Sequence, residues 1–265
     1  VTFSPISDAR FGARTAVFAA YTSGTLARFE LEVRARGLGL EAQEGLIAKT
    51  MRRYGHDMSR LFGLAIDAEG LGPRGWAEGR DATGRGRVFV SNHRSALDIL
   101  ATLAVIEGKH VSRADLAQWP VVGPIARRAG ILFVEREDRR SAAEVVKQMI
   151  GYVERGVSVI IFPEGTTYPG DEVRPFMPGA FAVSRRTGCE VVPLGIAYGG
   201  EAVSFGDESF LEHMRRVAGA RRTRVAITVG EPFTPQGADT STLSQRAQGV
   251  VQALVHRSRA RLSAA

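Results

Sequence analysis

The feature that most constrains this chain is an alternation. From residue 87 onward, short runs of apolar and β-branched residues give way repeatedly to longer stretches of helical periodicity. Runs at 87–91, 131–134, 157–162, 190–198 and 224–229 read as strands, and stretches at 95–107, 140–155, 178–187 and 244–262 read as helices. Strands that alternate with helices need crossover connections, so the pattern predicts an α/β fold with a mostly parallel sheet flanked by helices on both faces. A pair of helices precedes it. Over 13–36, Phe18, Leu26, Phe29 and Val33 share one face; over 41–60, Ile47, Met51, Tyr54, Met58 and Leu61 step by four and three. Gly45 and Gly55 weaken the second helix. A glycine-rich stretch, 70–86, separates the pair from the α/β part, which gives a division into 1–62 and 63–265. Two readings of the pair stand side by side. Its apolar face packs on the core, or it docks on a membrane, with Arg14 and Arg28 meeting lipid phosphates.

Composition narrows the classes. With 265 residues the chain can bury a core without staples. A single cysteine, Cys189, forms no internal disulfide and reads as a small buried apolar residue in a reducing compartment. No stretch approaches the roughly 20 apolar residues that a bilayer span needs, and no signal peptide is apparent. The net charge is +7, carried almost wholly by arginine, since Lys49, Lys109 and Lys147 are the lysines. Such a chain favours polyanions: nucleic acid, anionic lipid, coenzyme A phosphates or an acidic carrier protein.

Four segments carry chemistry. In VFVSNHRSALD (88–98) a strand ends at Ser91 and a helix begins near Ser95, a good N-cap residue. His93 lies on the turn, and the spacing reads two ways: Asp98 is close enough to fix its tautomer and leave Nε2 free to take a proton, or the segment is an N-capped helix with an incidental histidine. HVSRAD repeats the H-x4-D spacing at His110 and Asp115 but lacks the asparagine and serine. In GILFVER (130–136), Arg136 stands at the same rim as His93 if the strands are parallel, although the segment alone reads more simply as a solvated strand end. In FPEGTT (162–167), Glu164 and Gly165 end a strand as ligand contacts or as turn residues. In VVPLGI (191–196), Pro193 within an apolar strand marks an edge or a bulge. GLGPRG (70–75) fits G-x-G-x-x-G, but no helical pattern follows it, so it is not a dinucleotide loop. The five histidines show no metal-ligand spacing, and no metal or cofactor is expected.

These four segments, in this order, resemble the lysophospholipid acyltransferase family that includes bacterial 1-acylglycerol-3-phosphate acyltransferases, over roughly residues 62–235. The resemblance implies an O-acyltransferase with His93 as general base and Asp98 as its orienting carboxylate. It implies acceptor contacts at Arg136, at Glu164 and Gly165 with Thr166 beside them, and at Arg113, where many members carry a lysine. Pro193 falls in the acyl region. Many phosphatidate-forming members have arginine or serine after EGT, where this chain has Thr167. Threonine cannot grip phosphate bidentately, and Arg174 is placed to supply that contact. The implied partners are a lysolipid acceptor, acyl-CoA or acyl carrier protein as donor, and a membrane surface. The implied location is peripheral, on the cytoplasmic face. Two other functions compete. A thioesterase would use the same dyad with water as acceptor. A non-catalytic nucleic-acid-binding protein would rest on the cluster Arg215, Arg216, Arg221, Arg222 and Arg224, which no recognition motif accompanies.

Overall fold

The computed structural model describes residues 4–73, 75, 77, 79–135, 137–200, 203–206 and 208–264. Two long helices lead. α1 (Pro5–Arg36) begins eight residues before the expected 13, because Ser4 accepts the Ser7 amide hydrogen bond as N-cap and Pro5 occupies the first helical position. Gly37, at φ 57°, ends it. α2 (Leu40–Leu61) follows. Phe62 and Gly63 then lead into β1 (Leu64–Glu69), so the sheet begins before the glycine-rich stretch rather than after it. The remaining elements are β2 (Val88–Ser91), α3 (Leu97–Val105), β3 (Lys109–Arg113), α4 (Val122–Arg128), β4 (Leu132–Val134), α5 (Arg139–Glu154), β5 (Val159–Ile161), α6 (Ala182–Thr187), β6 (Val191–Tyr198), α7 (Phe210–Gly219), β7 (Thr223–Val229) and α8 (Thr240–Ala264). Short 3-10 turns cover 114–118 and 178–181.

The sheet order is β1-β7-β6-β2-β5-β3-β4, and every pairing is parallel except β6 with β7. Alternate side chains feed two cores. Phe89, Ile160, Leu194 and Ile196 join α3 and α7 on one face. Val88, Val90, Val159, Ile161 and Val191 join α5, α6 and α8 on the other. Strands covered on both faces are apolar throughout, which is why β2 and β6 are wholly buried and were legible as continuous runs. Pro193 is not at an edge, because β6 lies third in the order. It sits at a bulge: Val191 bridges Phe233, yet Leu194 pairs with Val229, a slip of one residue.

The helical pair turns its apolar face inward. Phe29 packs with Ile47, Val33, Met51 and Ala129, and Phe18 lies against Phe62, next to the sheet core. Gly55 lets α2 approach α3 closely, since a Cβ there would lie 2.6 Å from the Leu103 carbonyl carbon. This contact offsets the helix-propensity loss expected of that glycine. Ion pairs fasten the same face: Arg128 with Glu30, and the buried Lys109 with Glu44 at 2.7 Å. Arg14 does not reach for lipid. Its Nη1 donates to the carbonyls of Ala218 and Ala220 at the end of α7. The docking reading of the Phe18–Phe29–Val33 face is therefore corrected to core packing. The outer side of α1 instead exposes Ile6, Val17 and Leu31, which fall within one narrow sector of the helix. Among the described residues no helix is long and apolar enough to cross a membrane.

Candidate active site

The turn from β2 to α3 is built around one carboxylate. Asp98, fully buried in the first turn of α3, folds back on the preceding residues. Its Oδ2 accepts the Arg94 amide at 2.6 Å and the Ser95 amide at 3.0 Å, and lies 2.7 Å from His93 Nδ1. Its Oδ1 accepts the Tyr198 hydroxyl at 2.7 Å. Burial alone pushes this carboxyl up, but the bonds from His93, Ser95 and Tyr198 outweigh it and hold Asp98 below the ordinary carboxylate range. Tyr198 is driven well above its ordinary value, by burial first and then by the Asp98 charge, so it stays a hydroxyl donor. An anionic Asp98 keeps the His93 proton on Nδ1. Nε2 is then the ring nitrogen left for the cavity that His93 lines. Phe162 stacks on the imidazole, with centroids 4.3 Å apart and planes 16° apart.

Ser95 is not quite the helix cap that its residue type suggests. The helix starts at Leu97, and Ser95 Oγ accepts the Leu97 amide at 3.2 Å. Asn92, also buried, acts as a peptide mimic. Its side chain donates to the Ile196 carbonyl at 2.9 Å and accepts the Ile196 amide at 2.8 Å, locking the end of β2 to β6.

The cavity beside His93 has a volume of about 690 Å³. Apolar side chains from four directions line it, among them Ile99, Val134, Val146, Met149, Trp119 and Phe210. Of the sequence-predicted acceptor residues, Gly165, Thr166 and Arg113 line it, and Thr167 does too. Gly165 has φ 78°, a left-handed conformation that favours glycine; a Cβ there would meet only the movable end of the Met177 side chain. Arg113 already forks onto Asp115 at 3.0 and 3.1 Å, an exposed pair that Asp115 brings to the same wall.

Three other expected residues stand elsewhere. Glu164 does not face the cavity. Its buried carboxylate accepts the His93 amide at 2.7 Å, the Arg94 guanidinium at 2.9 Å and the Arg174 amide at 2.9 Å. Used this way, the carboxylate holds the two loops together. Arg174 points toward Glu172 and Tyr168, away from the lining, and so does not replace an arginine at Thr167. Pro193 also lies off the cavity. A Cβ on Gly230 would sit 3.0 Å from its ring, in the part of the sheet that α8 covers. Arg136 lies outside the described residues. Sequence reasoning missed Tyr198, the donor to Asp98 Oδ1, although it ends the strand that begins VVPLGI.

The second H-x4-D pair comes apart. His110 bonds Thr102 Oγ1 at 2.8 Å inside the core, while Asp115 pairs with Arg113. Cys189 is buried, and burial raises its thiol.

Comparison with known proteins agrees with this architecture. Residues 78–197 match the family model described as Acyltransferase. Over these residues the chain is similar to that family, and its curated relatives carry acyltransferase names. It is 32% identical over 171 residues to a lyso-ornithine lipid O-acyltransferase of Pseudomonas aeruginosa, covering 62% of this chain and 66% of that one. It is 35% identical over 127 residues to the chloroplastic 1-acyl-sn-glycerol-3-phosphate acyltransferase BAT2 of Brassica napus, covering 48% and 37%. The match thus spans just under two thirds of the first relative and little more than a third of the second. The fold is that of the crystal structure of the 1-acyl-sn-glycerophosphate acyltransferase PlsC of Thermotoga maritima. That comparison has TM-score 0.69 and 21% identity, over 95% of this chain and 94% of that one.

Proposed function

We propose that this protein transfers a fatty acyl chain from a thioester donor, acyl-CoA or acyl carrier protein, to a hydroxyl of a lysolipid. The observation that carries the reading is a histidine held by a buried carboxylate at the wall of a large apolar cavity. A thioester is already activated, whereas an alcohol is a poor nucleophile at neutral pH. His93 Nε2 takes the hydroxyl proton as oxygen attacks the carbonyl carbon. The tetrahedral oxyanion then collapses, the C–S bond breaks, and the imidazolium returns its proton to the thiolate. Asp98 stabilises the imidazolium throughout. General base catalysis of this kind contributes about 10²–10⁴-fold, and positioning supplies much of the remainder. The acyl chain fits the apolar walls formed by β4 and α5.

The acceptor reading is finer. Arg113 and Asp115 present both signs at the cavity wall. An exposed pair of this kind is worth only about 0–1 kcal/mol, so a zwitterionic head group can displace it and satisfy both charges. This favours a lysolipid such as a lyso-ornithine lipid over lysophosphatidate. A panel of lysophosphatidate, lyso-ornithine lipid and lysophosphatidylcholine, each with both donors and read by mass spectrometry, tests it. Transfer to lysophosphatidate alone would reverse the head-group assignment, and release of free acid without acyl lipid would make the protein a thioesterase.

The acceptor in this reading is bilayer-resident, which supports a peripheral membrane location, and the acyl-CoA or carrier-protein donor supports the cytoplasmic face. The outer stripe of α1 supplies apolar contact. Replacing Ile6, Val17 and Leu31 together with serine is expected to reduce flotation with anionic vesicles and leave the melting temperature unchanged. Unaltered flotation would remove the stripe from the docking surface.

A further inference from the structure

We infer that His213 is a positioning residue for acyl transfer, holding the 94–97 turn from outside so that the Asp98 carboxylate stays closed around His93. This builds on the acyltransferase reading and concerns a residue far outside the four motifs. His213 lies in the first half of α7 and is completely buried. Its Nε2 is 3.3 Å from the Ala96 amide nitrogen and 3.1 Å from Ser95 Oγ. A backbone amide only donates, so Nε2 is an acceptor and the ring proton sits on Nδ1. Nδ1 is 3.1 Å from Glu208 Oε1; Arg216 Nε donates to the other oxygen, Oε2, at 3.2 Å, and Arg216 Nη2 lies 3.2 Å from Nδ1. Phe205 stacks on the ring with centroids 4.5 Å apart, and its own amide donates to the Arg94 carbonyl at 2.7 Å.

The turn is therefore held on two sides. Inside, Arg94 and Ser95 give their amides to Asp98; outside, the Arg94 carbonyl, the Ser95 hydroxyl and the Ala96 amide meet the 205–213 segment. Phe205 and Phe210 of that segment line the cavity, so one short stretch sets both a cavity wall and the catalytic turn. Burial lowers the proton affinity of His213 more than Glu208 raises it, which suits a ring that stays neutral and accepts.

Ser95, His213 and Glu208 form a string that looks like a nucleophile triad, but the chemistry excludes that role. Ser95 is fully buried and its oxygen accepts the Leu97 amide. The Nε2 lone pair that a base would need already takes the Ala96 amide.

The test compares His213→Leu, His213→Gln and Glu208→Ala by kcat, by acceptor KM, and by the downfield proton resonance of His93 Nδ1–H. In His213→Gln the side-chain amide oxygen would replace the acceptor for Ala96, whereas leucine replaces only bulk. We expect kcat to fall on the order of 10- to 100-fold in His213→Leu, as for a small misplacement of the reacting groups. Acceptor KM should stay within about twofold. His213→Gln should recover most of the rate. The His93 proton signal should persist in wild type and His213→Gln and vanish by exchange in His213→Leu. If His213→Leu does not fold, Glu208→Ala, changed at a partly exposed side chain, gives the same readouts at roughly 3- to 10-fold. A folded variant with wild-type kcat and an intact His93 signal overturns the assignment, as does equal loss in the Leu and Gln variants. If wild type transfers no acyl group to any lysolipid, the acyltransferase reading fails, and the proton signal still decides the positioning role.

Discussion

Two segments of this chain carry a histidine followed five residues later by an aspartate, and only one pair meets. His93 and Asp98 flank a strand-to-helix turn, so the chain reverses between them and brings ring and carboxylate to 2.7 Å. His110 and Asp115 flank the end of β3 and a 3-10 turn, where the backbone stays extended through Arg113 and carries them apart. Phe162 stands between the two imidazoles, stacked on His93 and tilted 6.5 Å from His110. One ring faces a cavity; the other is sealed in the core. Spacing therefore says little until the backbone between the residues is known, and a turn at a strand's carboxyl end is what converts spacing into chemistry.

The largest expected difference follows from that contrast. His93→Ala should reduce acyl transfer by about 10²–10⁴-fold with little change in melting temperature, because the role proposed for His93 is proton transfer rather than packing. Steady-state rates against the same lysolipid, with circular dichroism as a fold check, measure it. If His110→Gln loses as much, the two pairs have been assigned the wrong way round.

Tyr198→Phe comes next. It leaves Asp98 Oδ1 buried without its donor, and a hydrogen bond to a charged group is worth about 1.5–3 kcal/mol. Denaturant melts should show that loss, and kcat should drop several-fold because the carboxylate is less firmly held. An unchanged melt would mean that another donor reaches Oδ1.

How much of this was legible depends on where the partners lie. NHRSALD contains both members of the dyad and both inner amides, so a local reading could assemble it. Tyr198 and His213 reach the same turn from 100 or more residues away, and nothing near them in sequence points to it. The fold shows the same division. β2 and β6, buried on both faces, are continuous apolar runs, whereas β1 and β3 carry exposed or charged positions and lack that signal. α7 was missed although its capping box, Ser209 with Glu212, is a local start signal. The bonds of Glu164 were not legible for a physical reason: the His93 amide that it accepts lies 71 residues away in sequence, and only the fold brings the two together.

His110 supplies a pH prediction. Burial pushes its imidazole down from 6.5 to about 3. Between those values the unfolded chain binds a proton that the folded chain refuses, so stability should fall as pH drops from about 6.5 toward 3. His110→Gln, which keeps a donor for Thr102 but cannot titrate, should flatten that slope and leave kcat within about threefold. Urea melts across the range measure it. An unflattened slope would assign the acid sensitivity to Asp98 and His213, whose depressed values act in the same direction.

The smallest effect is expected at Asp115. In the pair that does not form, this aspartate has an exposed partner, Arg113, and contacts of that kind contribute about 0–1 kcal/mol. Asp115→Ala should therefore leave the melting temperature nearly unchanged and barely alter transfer at saturating acceptor. Its consequence should lie in head-group choice. Removing the carboxylate frees the Arg113 guanidinium at the cavity wall and deletes the partner for an ammonium. Acceptor KM should then rise for a zwitterionic lysolipid and fall for lysophosphatidate, each by about two- to fivefold, a range set by the modest worth of exposed charge contacts. Both shifts should shrink as salt is added, because the groups are exposed. Equal KM changes for the two acceptors would leave Asp115 as a surface residue without a part in head-group choice.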